Sequence, residues 1–264
     1  MPEGDTVWRT AQRLHQCLAG AQLVSSDFRV PAYATLDLSG QRVSEVVARG
    51  KHLLTRVEPD VTIHTHLKME GSWHLYRPGS RWRGPDHQVR LVLGTHDWVA
   101  VGFRLGTVEV LASADEGSAL GHLGPDLLGS DWDAHEAVRR LRARPQRLIG
   151  EALVDQRNLA GIGNMYKAEI CFVTGLSPWT PVAEVDDLPG LVSLAQRILE
   201  ANKHRAAQTT TGDTRRGQQL WVYARAGQPC RRCRTLIRRT APDDPTGERS
   251  TYWCPRCQPG AEPP

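Results

Sequence analysis

The sequence predicts an α+β multidomain chain: an N-terminal antiparallel β-sandwich with a flanking helix, a C-terminal helical domain, and a small four-cysteine hairpin. Three observations predict it. Eight short segments rich in Val, Leu and Thr, broken by Gly, Pro and Asp, occupy most of residues 23–111. After a stretch containing Gly and Pro, the apolar period changes from two to about 3.6. Two Cys-x-x-Cys pairs then follow near the end. The expected limits are 1–116 for the sandwich, 117–130 for a linker, 131–219 for the helical domain, 220–258 for the cysteine hairpin and 259–264 for a disordered tail.

Taken in order, Asp5 to Gly20 reads as an amphipathic helix, with Val7, Ala11, Leu14 and Leu18 on one stripe and Gly20 as the stop. The strand segments are Leu23–Phe28, Arg42–Ala48, His52–Val57, Val61–Leu67, Ser72–Tyr76, Val89–Leu93, Trp98–Phe103 and Thr107–Leu111. Helices are expected over Asp133–Arg144, ended by Pro145, then Arg147–Asp155, Met165–Phe172 and Leu188–His204. The polar run from Arg205 to Gly217 reads as a mobile loop.

Composition narrows the function. At 264 residues the chain can build two modest cores. No apolar run spans a membrane, and the N-terminus has no signal-peptide pattern, so a cytoplasmic protein is expected. The net charge of +4 is unevenly spread: residues 203–257 hold twelve Lys or Arg against four acids. A basic end on a slightly acidic remainder points to a polyanion partner. Only four of the 33 basic residues are Lys (Lys51, Lys68, Lys167 and Lys203), in a chain that otherwise favours Arg. Cys17 and Cys171 read as small buried hydrophobes.

Cys230-x2-Cys233-x20-Cys254-x2-Cys257 is the most specific signal, because it supplies four thiolates for one tetrahedral zinc ion. All four positions are filled by protein, so the metal's role is structural: it folds a hairpin too small to fold alone. Arg231, Arg232, Arg234, Arg238, Arg239 and Arg249 lie between the pairs and suit phosphate contact. Gly161-Ile162-Gly163-Asn164 reads as tight turns between two helices, with Asn164 as a cap and a helix N-terminus able to meet phosphate. Lys51 follows a Gly turn at a strand edge. Met69 sits in a loop after a strand; its ordinary reading is a core residue, while an exposed apolar side chain there can wedge between bases. His64 and His66 alternate on one strand and read as hydrogen-bonded core histidines. At the start, trimming of Met1 exposes the secondary amine of Pro2, a nucleophile because an α-amino group titrates at about 7.7–8.0. The acid Glu3 and the flexible Gly4 follow it. An amine that can form an iminium, beside an acid, suits covalent attack on a sugar carbon.

Together, Pro2-Glu3-Gly4, Arg49–Leu54, Gly161–Asn164 and Trp221-Val222-Tyr223 leading into the cysteine finger resemble the formamidopyrimidine-DNA glycosylase / endonuclease VIII family. Tyr252-Trp253-Cys254-Pro255 resembles the endonuclease VIII branch, which removes oxidised pyrimidines. The resemblance implies a β-sandwich, a helix–two-turn–helix domain and a zinc finger. It implies a bifunctional DNA glycosylase/AP lyase of base excision repair, acting through a Schiff base on Pro2 and β,δ-elimination. It makes Pro2, Glu3 and Lys51 catalytic, and places Met69, Arg157, Asn164 and Arg249 on DNA. Damaged DNA is the partner. One structural Zn2+, no small-molecule cofactor, a monomer and a nucleoid-associated cytoplasmic location complete the expectation. Two departures stand out: Thr6 replaces the family's second glutamate, and Lys68-Met69-Glu70 replaces the triplet Gln-Leu-Tyr. They keep an alternative open, a zinc-finger DNA-binding paralogue that senses damage without cutting.

Overall fold

The computed structural model describes residues 2–240 and 250–263, which divide into two units, Met1–His122 and Leu123–Pro264. In the first, α1 (Gly4–Leu18) precedes eight strands. These are β1 (Ser25–Phe28), β2 (Val43–Arg49), β3 (His52–Val57), β4 (Val61–His66), β5 (Ser72–Tyr76), β6 (Val89–Gly94), β7 (Val99–Phe103) and β8 (Thr107–Ala112). Each falls on a segment read from the sequence, with ends shifted by a residue or two. The strands form two antiparallel sheets, ordered β1-β6-β7-β5 and β2-β3-β4-β8. One core joins them: Phe28, Leu91, Leu93 and Ala100 from the first sheet meet Val43, Val46, Leu53, Val57 and Ile63 from the second. The stripe Val7, Ala11, Leu14 and Leu18 of α1 belongs to the same core, so burial of that face fixes the helix on β2 and β3.

Strand alternation sorts the second sheet's residues. Leu53 and Ile63 point into the core, so His52 and His64 stand on the opposite face. That face is polar. Arg56 spans Glu45 and Glu116, and Thr62 donates to Glu116 at 2.6 Å. Glu116 opens a short helix, α2 (Glu116–Leu120), which runs across the boundary into the stretch expected as a linker. The Arg56 contacts anchor it, and no local period announces it.

The second unit packs α3 (Ala134–Arg142), α4 (Ile149–Val154), α5 (Asn164–Thr174) and α6 (Leu188–Asn202) around one core. Asp133 caps α3 by accepting from the N–H groups of His135 and Glu136, and Asp187 caps α6 through Gly190 N–H. Every residue from Asn164 to Phe172 of α5 is buried, which makes it the central helix of this unit. Its Glu169 is wholly buried and accepts from the backbone N–H groups of Trp221, Val222 and Tyr223 and from the Thr210 hydroxyl. Asn202 holds Thr209 through both backbone groups. The loop read as mobile is therefore tied down at its threonines by buried side chains. Two short strands, β9 (Arg238–Arg239) and β10 (Tyr252–Trp253), pair as the cysteine hairpin. Ile237, Cys230 and Cys254 of that hairpin pack on Ala168 and Phe172 of α5. In the tail, Ala261 O accepts from Ser177 Oγ at 2.6 Å. No helix among the described residues is long and apolar enough to cross a membrane.

Candidate active site and nucleic-acid interface

Glu3 is the residue before α1 and is wholly buried, while Pro2 is half-buried ahead of it. The packed stripe of α1 thus holds the first residues in place. Thr6 lies on the first turn of the same helix. Lys51 sits in the turn between β2 and β3, the two strands on which α1 rests. Gly50 before it has φ +57°, a left-handed conformation that a side chain would strain.

The loop after β4 carries Met69, whose surface is 65% exposed. It is shaped by backbone rather than by packing. Lys68 takes a left-handed φ of 50°, and Gly71 N–H donates to Leu67 O at 2.8 Å. A Cβ on Gly71 would lie 2.4 Å from that same oxygen. A large apolar side chain held out on a constrained non-glycine turn is a conformation found at functional sites. Glu70, which the sequence leaves without a rationale, reaches Arg104 at 3.5 Å. Its charge is met by an arginine from the turn after β7.

The same end of the sheet gathers histidines. His52 Nδ1 and His64 Nε2 are 2.7 Å apart, and His64 Nδ1 meets Glu109 Oε2 at 2.8 Å. The rings of His52 and His66 cross edge-on at 4.9 Å. Burial first, and then the electrostatic influence of the neighbouring His66, His64, His122 and Lys68, pushes His52 down to about 3. Burial, then Lys68 and Lys51, push His66 down to about 4. The histidines are hydrogen-bonded, as expected, and His64 is buried, but they stand on the sheet face opposite the sandwich core, where His66 is only half-buried. Nothing local to the sequence singles out His52 or Glu109.

In the helical unit, Gly161 has φ +116°, whereas Gly163 is extended and is itself the residue that starts α5. Asn164 is the first helical residue, not the cap, and its Nδ2 donates to Ser250 O in the finger at 3.1 Å. Arg157 lays Nε and Nη2 on Asp155 at 2.9 and 2.8 Å. With Arg147 it holds that carboxyl well below the usual carboxylate range. Arg139, Arg140 and Arg144 line a surface pocket beside it.

The finger arginines divide. Arg231 is spent on Leu220 O and Gly217 O at 3.1 and 2.5 Å. Arg232 lies 4.5 and 5.0 Å from the rings of Phe172 and Trp221 and donates to Phe172 O. These two are structural, which corrects the reading of the whole set as phosphate-facing. Arg238 and Arg239 are exposed. Arg249 lies outside the described residues. The Sγ atoms of Cys230, Cys233, Cys254 and Cys257 all lie within 4.8 Å of one another. Cys230–Cys257 is 3.9 Å and Cys233–Cys254 is 3.4 Å. Four sulfurs at about 2.3 Å from one tetrahedral metal would be separated by about 3.8 Å, so the donor set fits such an ion. Of the lone cysteines, Cys171 is buried, its thiol pushed up to about 12 by that burial, and Cys17 is only half-buried.

Three family models match the chain: the formamidopyrimidine-DNA glycosylase N-terminal domain over residues 1–108, that family's H2TH domain over 123–211, and the zinc finger found in FPG and IleRS over 227–260. The chain is 57% identical to the probable endonuclease 8 2 of Streptomyces coelicolor, covering 100% of this chain and 96% of that protein. It is 50% identical to the DNA-(apurinic or apyrimidinic site) lyase Nei2 of Mycolicibacterium smegmatis, with 98% and 99% covered. The fold matches the Lactococcus lactis Fpg crystallised with DNA containing an abasic site, with a TM-score of 0.82 at 21% identity over 98% of this chain and 100% of that one. An α+β chain with this order of sandwich, helical unit and four-cysteine finger belongs to the formamidopyrimidine-DNA glycosylase / endonuclease VIII family.

Proposed function

We propose that this protein excises oxidised pyrimidines from DNA and cuts the strand through a Schiff base on Pro2. It is an enzyme, a DNA glycosylase and AP lyase of base excision repair. The observation that carries the reading is the end-to-end likeness to relatives named as endonuclease 8 and as an AP-site lyase.

Once Met1 is removed, the Pro2 nitrogen attacks C1′ of the damaged nucleotide. A C–N bond forms as the C1′–base bond breaks and the base departs. After ring opening the iminium acidifies the C2′ hydrogen, a general base removes it as the 3′ phosphate leaves in β-elimination, and δ-elimination then expels the 5′ phosphate. Glu3 protonates the sugar ring oxygen and helps it open. Lys51 holds the neighbouring phosphate. Met69 fills the gap left by the flipped nucleotide, in keeping with its exposure on a stiff turn. Asn164, Arg157 and Arg249 contact phosphates. Cys230, Cys233, Cys254 and Cys257 hold one zinc ion, which supplies folding energy and no chemistry. The enzyme acts as a monomer on the nucleoid in the cytoplasm, without a small-molecule cofactor.

Borohydride trapping tests this. Covalent adducts are expected on duplexes carrying an abasic site or an oxidised pyrimidine, in excess over 8-oxoguanine. DNA binding that falls with salt but yields no adduct on any lesion would support a damage sensor and overturn the enzymatic reading.

A further inference from the structure

The sheet end beside Lys51 holds a connected set of ionisable groups that the reaction above does not use. A carboxylate only accepts, so His64 Nδ1 carries the hydrogen toward Glu109. His64 Nε2 then accepts, and His52 Nδ1 supplies that hydrogen. His52 Nε2 is left as a lone pair, with no donor to it among the described residues. His66 differs: its Nδ1 already accepts from Lys68 N–H at 2.8 Å, so a second proton there would break a bond. The charged and titratable groups facing these rings are Arg49 at the end of β2, Lys51 in the β2–β3 turn, Lys68 after β4, His66 on β4, Glu109 on β8 and His122 beyond α2.

We propose that the Glu109–His64–His52 chain is a proton relay that takes up a proton from solvent when a nucleic-acid phosphate docks at the end of the sheet carrying Lys51 and Lys68. The inference rests on the reading of the protein as a DNA enzyme. His52, His64 and Glu109 are positioning residues: they set the charge of the phosphate pocket and do not touch the reacting atoms. Without DNA, burial first, and then the neighbouring histidines and Lys68, keep His52 neutral. A phosphodiester brings negative charge, and at contact distance its attraction reverses that balance. The proton enters at His52 Nε2. The Nδ1 hydrogen of His52 can then pass to His64 Nε2, which leaves an imidazolium directly against the Glu109 carboxylate. The half-exposed Glu109 opens the chain to solvent and His64 is buried, so the charge is compensated inside the sheet face.

A group whose bound-state pKa is raised adds affinity below that value and loses it as pH rises through it. DNA binding should therefore weaken with rising pH, by up to ~10-fold per unit if one proton is linked. The test is calorimetric titration of the full-length, metal-loaded protein with a duplex bearing a tetrahydrofuran abasic analogue, in buffers of different ionisation enthalpy. Uptake of about 0.5–1 proton near pH 6.5 is expected for the unaltered protein. Both His64→Gln and Glu109→Gln should cut it below ~0.2 and flatten the pH dependence of Kd, while Glu109→Asp restores both. The substitution at half-exposed Glu109 keeps the test usable if His64→Gln fails to fold. Tight binding without uptake, or uptake unchanged in the Glu109→Gln protein, overturns the relay and leaves the enzymatic reading standing. Absence of any binding to the abasic duplex overturns that reading, and the relay with it.

Discussion

Glu3→Gln is expected to lower base release from an oxidised-pyrimidine duplex by ~10³-fold while leaving the fold intact, since a positioned general acid contributes ~10²–10⁴. Glu3 is wholly buried at the foot of α1, held by a helix whose stripe is part of the sandwich core. The amide fills the same space but has no acidic proton to give to the opening sugar. A change of mere packing would not separate chemistry from stability, so the measurement is single-turnover base release alongside near-UV circular dichroism. Activity within ~3-fold of the unaltered protein would remove Glu3 from the mechanism, given what a general acid contributes.

Cys254→Ser, or removal of the metal by a strong chelator, is expected to unfold the finger and weaken DNA binding by at least ~10²-fold, because a structural zinc site is worth ~10–16 kcal/mol of folding free energy. The hairpin's strands are two residues each, and its buried apolar contribution is small, Val222, Ile237 and Trp253 beside the cysteines, so the metal is its main staple. The contacts that Lys167 and Asn164 make to Thr251 and Ser250 would go with it. The sandwich should remain folded, since its core is separate. Metal release should titrate as one ion per chain, and fluorescence anisotropy reads the loss of binding. Unchanged affinity in the metal-free protein would contradict the assignment.

What the sequence disclosed and what it hid divide along sequence distance. The stripe of α1, all eight strands and the four cysteines could be read because each is a local period or spacing. Met69's exposure was also accessible as an option, since the residue follows a strand directly. The Glu169 clamp joins residues 41 to 54 positions apart, and the Glu109–His64 bond spans 45. No window reads pairings of that length. Arg231 and Arg232 are hidden for the same reason: a run of arginines looks like a phosphate surface until the backbone carbonyls and rings that absorb two of them are in place. α2 went unseen because Arg56 and Thr62, not its own residues, anchor its first turn. The departure at Glu70 resolves into an ion pair with Arg104, and Thr6 acquires no comparable explanation.

The proposed chemistry turns on the nitrogen that forms the covalent bond. Borohydride-trapped enzyme, digested and mapped by mass spectrometry, tests it directly. The expected result is the sugar remnant on the nitrogen of Pro2, in a peptide that begins at Pro2 with Met1 gone. Adduct on a lysine such as Lys51, or active enzyme that still carries Met1, would contradict it.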